Sequence, residues 1–236
     1  MNSTINSAMN SAKPALTARR ATRDDLPFLA WCNIEATSPQ PGFCYWDSLL
    51  EATGTATRAF VEAVFRQEAL GWGKIEQFFV LEEGAKPVAG ASAFEMNPHD
   101  YRPLSLERLP AVALDLGWSE EVLSRFLVGY AQVWSNPHDP TLAPQAPWII
   151  ECVAVVPEAR GRGLTRKLFE VLFAEGQRLG HARAGISVTN GNLPAQRAYE
   201  AIGFQLYLQY GSDYFDGAFP GTLKYRIPLE PQGETK

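Results

Sequence analysis

The chain has 236 residues, 46% of them hydrophobic and 20% charged, and 21 basic against 26 acidic side chains leave a net charge of −5. That composition is an ordinary globular one, sized for a single large domain, and the acidic balance argues against nucleic-acid binding through a basic footprint. The three cysteines (Cys32, Cys44, Cys152) and three histidines (His99, His138, His181) have no disulfide or metal spacing, and no apolar run reaches the roughly 18 residues of a membrane span. Free thiols in a reducing cytoplasmic compartment, with no metal and no membrane, are the expectation.

Residues 1–14 are small and polar, without a cationic start or apolar stretch, and read as a disordered tail rather than a targeting signal. The remainder, 15–236, reads as one domain with an insertion at about 97–147. A first strand is expected over 16–21. Thr22 then caps a helix whose face carries Leu26, Leu29, Ala30 and Ile34. Pro39, Pro41 and Gly42 predict a loop over 37–54, with Phe43, Tyr45 and Trp46 either presented for recognition or folded back on the core. Phe60, Val61, Val64 and Phe65 recur at helical spacing within 57–70. Two strands over 76–83 and 87–96 follow, turning at Glu83-Gly84-Ala85-Lys86. After a Pro-containing insertion over 97–117, Ser119 caps a helix to Trp134 with Glu120 and Glu121 in its first turn. Four prolines make 136–147 a loop.

The next stretch organises the chain: W-I-I-E-C-V-A-V-V-P-E-A-R-G-R-G-L-T from Trp148 to Thr165. Ile149, Ile150, Val153, Val155 and Val156 suit a buried strand, which Pro157 ends. Leu164, Leu168, Val171 and Leu172 then recur as a helix. A strand entering a helix through glycines is a common phosphate cradle. The first-turn N–H groups lack partners and the macrodipole adds positive charge. Arg160 and Arg162 add cations, while Gly161 and Gly163 allow close backbone approach. The plain alternative is an ordinary strand–turn–helix with a solvated arginine corner. No G-x-G-x-x-G or G-x-x-x-x-G-K-[ST] is present, so neither a dinucleotide fingerprint nor a P-loop is supported.

A strand over 182–189 leads to Asn192, the N-cap of a helix that tolerates Pro194 and ends at Gly203. Ala195 and Tyr199 lie four apart on one helical face. Final strands run over 204–210 and 222–229, joined by a loop carrying Asp213, Tyr214, Phe215 and Asp216.

Two of these stretches resemble signature segments of the GNAT superfamily of acyl-CoA-dependent N-acetyltransferases. Val153-Ala154-Val155-Val156-Pro157 followed by Arg160-Gly161-Arg162-Gly163-Leu164-Thr165 is similar to the family's V-x-V-x-P strand and its [RQ]-x-x-G-x-[GA] turn, with Thr165 in place of the usual small residue. N-x-x-A-x-x-x-Y-x-x-x-G-F, from Asn192 through Ala195 and Tyr199 to Phe204, resembles the second segment. The resemblance implies an α/β (α+β) fold, with a mixed, mostly antiparallel twisted sheet flanked by helices around a central strand–helix acyl-CoA-binding unit. It implies acetyl-CoA as co-substrate, held by Val153, Ala154, Val155, Arg160, Gly161, Arg162, Gly163, Leu164, Thr165, Asn192 and Ala195. By the family's chemistry, Tyr199 is the proton donor to the departing sulfur. Glu151, which strand alternation places with Val153 and Val155, is the candidate base. The expected reaction is direct acetyl transfer to the primary amine of a small molecule. Protein N-terminal or lysine acetylation, and a non-catalytic acyl-CoA-binding module, are the other readings. Asp213 and Asp216 are candidates to hold a cationic amine or are plain turn residues. Tyr210, Tyr214 and Phe215 either wall the acceptor pocket or meet a partner subunit in a homodimer.

Overall fold

The computed structural model describes residues 15–229; the expected N-terminal tail lies outside them. Fourteen principal elements follow in chain order. They are β1 (Leu16–Arg20), α1 (Leu26–Ala36), α2 (Asp47–Leu50), α3 (Thr57–Arg66), β2 (Phe78–Glu83), β3 (Lys86–Phe94), α4 (Leu109–Asp115), α5 (Glu120–Val133), β4 (Trp148–Val155), α6 (Leu164–Arg178), β5 (Arg183–Thr189), α7 (Leu193–Ile202), β6 (Gln205–Gly211) and β7 (Gly221–Pro228). The seven strands form one sheet in the order β1-β2-β3-β4-β5-β7-β6. Every neighbouring pair is antiparallel except β4–β5. This is the mixed, mostly antiparallel sheet that the resemblance implied.

Local chemistry accounts for most boundaries. Ser119 accepts a hydrogen bond from the Val122 N–H and opens α5, and Asn192 accepts from Ala195 N–H to open α7. Pro110 and Pro194 sit in the first turns of α4 and α7, where a missing N–H forfeits no helical bond. Helix α4 falls in the segment expected as a Pro-containing insertion, and α2 in the segment expected as a loop. Helix α3 ends at Arg66 rather than Leu70 because the chain turns out of the helix there, with Glu68 at φ +51°.

Two cores cover the sheet. On one face Phe60, Phe65, Phe78, Phe126, Tyr130 and Trp46 pack with α1, α3 and α5. On the other, Trp148, Ile150, Leu168, Phe169, Leu172, Tyr199 and Phe204 pack beneath α6 and α7. Burial of each such side chain contributes about 1.5–3 kcal/mol. Helix α6 lies close against β4 because Gly176 carries no side chain: a Cβ there would stand 2.8 Å from the Trp148 ring.

Two irregularities of β4 matter for the site. It pairs with β5 only at Trp148–Ala184, Ile149–Gly185 and Ile150–Ile186, after which the parallel strands part. It also carries a bulge against β3, where Gly90 faces Ala154 and Ser92 faces Glu151, leaving Ala91 opposite both Cys152 and Val153. Cys152 takes φ +56° there, a left-handed conformation that costs a non-glycine residue about 1–2 kcal/mol.

Candidate active site

The parting of β4 and β5 opens a notch in the middle of the sheet, and most of the predicted site residues stand around it. On the β4 side, Glu151 to Val155 run on without β5 partners, with the Glu151 and Val155 carbonyls met by the Ser92 hydroxyl and the Arg160 Nε; backbone groups on this edge without a strand partner are of the kind an extended ligand can use. Val153 and Val155 pack toward the α6 core, whereas Cys152 and Ala154 belong to the α1 core.

The strand leads through Pro157–Ala159 into the turn ahead of α6. Gly161 and Gly163 adopt φ +74° and +75°, and nothing lies within 4 Å of where a Cβ would stand on either. Backbone conformation, rather than crowding by protein atoms, therefore calls for glycine, and the space in front of the turn is open. Gly163 is the N-cap, and the N–H groups of Leu164 and Thr165 begin a 15-residue helix whose positive dipole end lies at the turn that follows β4. Thr165 is half-buried and is tolerated in the first turn without distortion of the helix.

The two arginines are less simply disposed than the sequence suggests. Arg160 donates through Nε to the Val155 carbonyl at 3.1 Å and forms an ion pair with Glu35 of α1. Arg162 is paired with Glu83 at the end of β2. Both guanidinium groups thus face carboxylates.

On the β5 side, Asn192 spends its carbonyl oxygen on the Ala195 N–H, 3.3 Å away, which leaves its amide N–H₂ group as the part able to reach a ligand. Tyr199 is buried against Phe169 and Phe204. Burial, reinforced by the fields of Glu151 and Cys152, pushes its phenol above the ordinary tyrosine value, so it keeps its proton at neutral pH.

Glu151 corrects the strand-alternation argument. It lies opposite Ser92, whose hydroxyl bonds the Trp72 carbonyl at 2.6 Å on the α1 side of the sheet. The bulge at Cys152 reverses the parity between residue 151 and residue 153, so Glu151 faces away from Val153 and Val155. Burial pushes its carboxyl up to about 7, with Lys224 pulling the other way.

Two residues of this neighbourhood, Lys224 and Asn33, escaped the sequence reading, and a third, Tyr45, stood there only among the aromatics of a loop with two open roles. Lys224 of β7 is fully buried, its Nζ donating to the Ala143 carbonyl at 2.6 Å. Tyr45 hydrogen-bonds Thr189 Oγ1 at the end of β5, which carries the 37–46 loop across the notch. Asn33 of α1 accepts from Trp46 Nε1 at 2.8 Å and donates to Cys152 Sγ at 3.4 Å, tying that loop to the bulge. From Tyr45 a run of rings continues through Phe43 and Phe219 to Phe215, Tyr214 and Tyr210. Asp213 and Asp216 sit in the turn of this segment, Asp216 at φ +51°. Among the described residues there is no cluster of metal-ligating side chains and no helix long and apolar enough to cross a membrane.

Residues 113–204, which include both signature segments, match the model of the acetyltransferase (GNAT) family. No curated protein matches the chain. Among solved structures, the N-acetyltransferase from Staphylococcus aureus Mu50 superposes with a TM-score of 0.59 at 18% identity, covering 89% of this chain and 100% of its own. The structure described as SsHAT gives 0.59 at 18% identity, covering 92% and 100%. The acetyltransferase yncA from Salmonella typhimurium, solved with its cofactor acetyl-CoA, gives 0.50 at 18% identity, covering 94% and 98%. At these identities the superpositions establish the fold alone. The chain is thus similar to the acetyltransferase (GNAT) family over residues 113–204, which are 92 of its 236 residues, and shares the fold of the superposed acetyltransferases.

Proposed function

We propose that this acyltransferase moves the acetyl group of acetyl-CoA directly to the primary amine of a small molecule. The observation that carries the small-molecule reading is the closure over the notch. The Tyr45–Thr189 hydrogen bond and the contacts of Phe43 and Tyr45 with Phe219 join the 37–46 and 212–219 segments ring against ring. A protein acceptor would need an open groove at that place.

Acetyl-CoA fits the residues present. The unpaired edge of β4 over Val153, Ala154 and Val155 suits a pantetheine arm added like a strand. The open turn of Gly161, Arg162, Gly163, Leu164 and Thr165 suits a pyrophosphate. The amide of Asn192 and the small side chain of Ala195 border the path between them. Bound there, the co-substrate supplies an acyl group activated as a thioester.

The chain's own residues supply proton handling. An amine attacks only when neutral, and Glu151, with its carboxyl held near 7, is suited to take the proton at physiological pH. Tyr199 holds a phenolic proton throughout that range and is suited to give it to the departing sulfur. The test is release of free CoA thiol by the purified protein with acetyl-CoA and two acceptor panels, small primary amines bearing aromatic or apolar groups and peptides with free N-termini or lysines. Turnover of the small amines is expected; preferential turnover of the peptides overturns the small-molecule reading, and thiol release with neither panel overturns the transferase reading.

A further inference from the structure

We propose that Lys224 is a positioning residue for the reaction, a buried cation set across the open notch from Glu151 that keeps that carboxyl ionised and aimed at the acceptor amine. The inference rests on the transferase reading above.

The sheet register brings the two residues together. Lys224 pairs with Ser187 of β5, and Ser187 follows Ile186, the last β5 residue paired to β4; Glu151 follows Ile150, its partner. Glu151, Ser187 and Lys224 therefore lie in one row across three strands, with the row opened where β4 and β5 part. Leu223 and Tyr225, on either side of Lys224, belong to the α6 core, so Lys224 points to the opposite face, the one that bears Glu151.

Lys224 is only 1% exposed, and among the described residues its ammonium has a single hydrogen-bond partner, the Ala143 carbonyl of the 136–147 loop. A buried ammonium is strongly disfavoured without an opposite charge close by. Two acids act on it, Glu151 and Asp139. Asp139 already accepts from Thr141 N–H and Oγ1, both at 2.7 Å, within its own turn. The Glu151 carboxyl has no hydrogen-bond partner among the described residues, and Lys224 is the cation acting on it. The other titratable groups near Glu151 are Tyr45 from the 37–46 loop, Tyr199 from α7 and Cys152 beside it in β4. Burial pushes Tyr45 and Cys152 up to about 12 and Tyr199 up as well, so all three are neutral near pH 7. Lys224, lowered to about 8 by burial and held up by the two acids, remains charged where Glu151 ionises.

Lys224→Met removes the charge and retains most of the stem. With the cation gone, ionised Glu151 is less favoured, and its titration should move upward by about one pH unit, at the low end for a nearby opposite charge. The first readout needs no turnover: the carboxyl ¹³C shift of Glu151, followed against pH in protein labelled with ¹³C-glutamate and assigned with Glu151→Gln. The second is the acid limb of kcat/KM, which should move by the same amount, lowering activity about fivefold at pH 7 with recovery toward pH 9. Lys224→Arg should keep the original midpoint in both. If Lys224→Met loses its melting transition, Lys224→Gln and Lys224→Arg make the same comparison. An unmoved Glu151 titration overturns the proposal. A titration that moves in a protein that turns over no amine overturns the transferase reading, and with it the role in the reaction, but not the pairing.

Discussion

Asn33→Ala should destabilise the protein far more than an average substitution and should disturb the active site from behind. Asn33 is fully buried. Its carbonyl oxygen must face Trp46, because an indole nitrogen only donates, and its amide then donates to Cys152 at the bulge. Alanine strands the Trp46 N–H inside a dry core, at about 1–3 kcal/mol. It also opens a void the size of a carboxamide, for about 1 kcal/mol more. The sum, about 2–4 kcal/mol, corresponds to a fall in Tm of roughly 5–15 °C for a chain of this length. Calorimetry and urea unfolding measure it. A double-mutant cycle with Trp46→Phe, which removes the donor while keeping a ring, should return a coupling of about 1–2 kcal/mol. Asn33→Ala within about 0.5 kcal/mol of wild type, or strict additivity in the cycle, would refute the reasoning. Because Cys152 holds a left-handed conformation next to Glu151, the same variant should lose turnover at temperatures where it is still folded.

Three further outcomes follow from the site. Tyr199→Phe should lower kcat by about 10²-fold, as for loss of a general acid. It should leave the acetyl-CoA dissociation constant within about twofold, since the hydroxyl acts after binding; unchanged kcat removes the residue from the chemistry. Glu151→Gln should abolish the acid limb of kcat/KM. With Glu151 assigned as the base, the active form is the carboxylate, so wild-type activity should rise with pH through about 7, and the glutamine variant should give a flat, low profile over that range. Glu35→Gln combined with Glu83→Gln should tighten acetyl-CoA binding about two- to fivefold by releasing Arg160 and Arg162 from exposed ion pairs, as isothermal titration will show; such pairs are weak, so a larger gain is not expected.

Much of this architecture is written locally in the sequence. The Ser119 and Asn192 caps, the Gly84 turn and the Gly203 C-cap form through contacts a few residues long, and the elements they delimit follow. Segments read as irregular contain short helices because Pro110 is harmless in a first turn and because Asp47–Leu50 is too short to show periodicity. The site was legible where motif residues carry it and not where tertiary packing does. Nothing in W-I-I-E-C-V-A-V announces a bulge at Cys152, since a non-glycine residue at positive φ is held there by Asn33 and the surrounding core; alternation therefore assigned Glu151 to the wrong face. Lys224 alternates with Leu223 and Tyr225 and so reads as solvated; it is buried because a loop some eighty residues earlier supplies the Ala143 carbonyl. The carboxylate partners of Arg160 and Arg162 are not legible locally, because Glu35 and Glu83 come from distant elements.

The most direct test of the account is calorimetric titration of the purified protein with acetyl-CoA, beside a variant carrying Arg160→Ala and Arg162→Ala. The account predicts one-to-one binding by the wild type, weakened in the variant by loss of nearby positive charge but retained through the α6 N–H groups. No binding by the wild type at millimolar acetyl-CoA would contradict it, leaving the fold without the cofactor site assigned to the notch between β4 and β5.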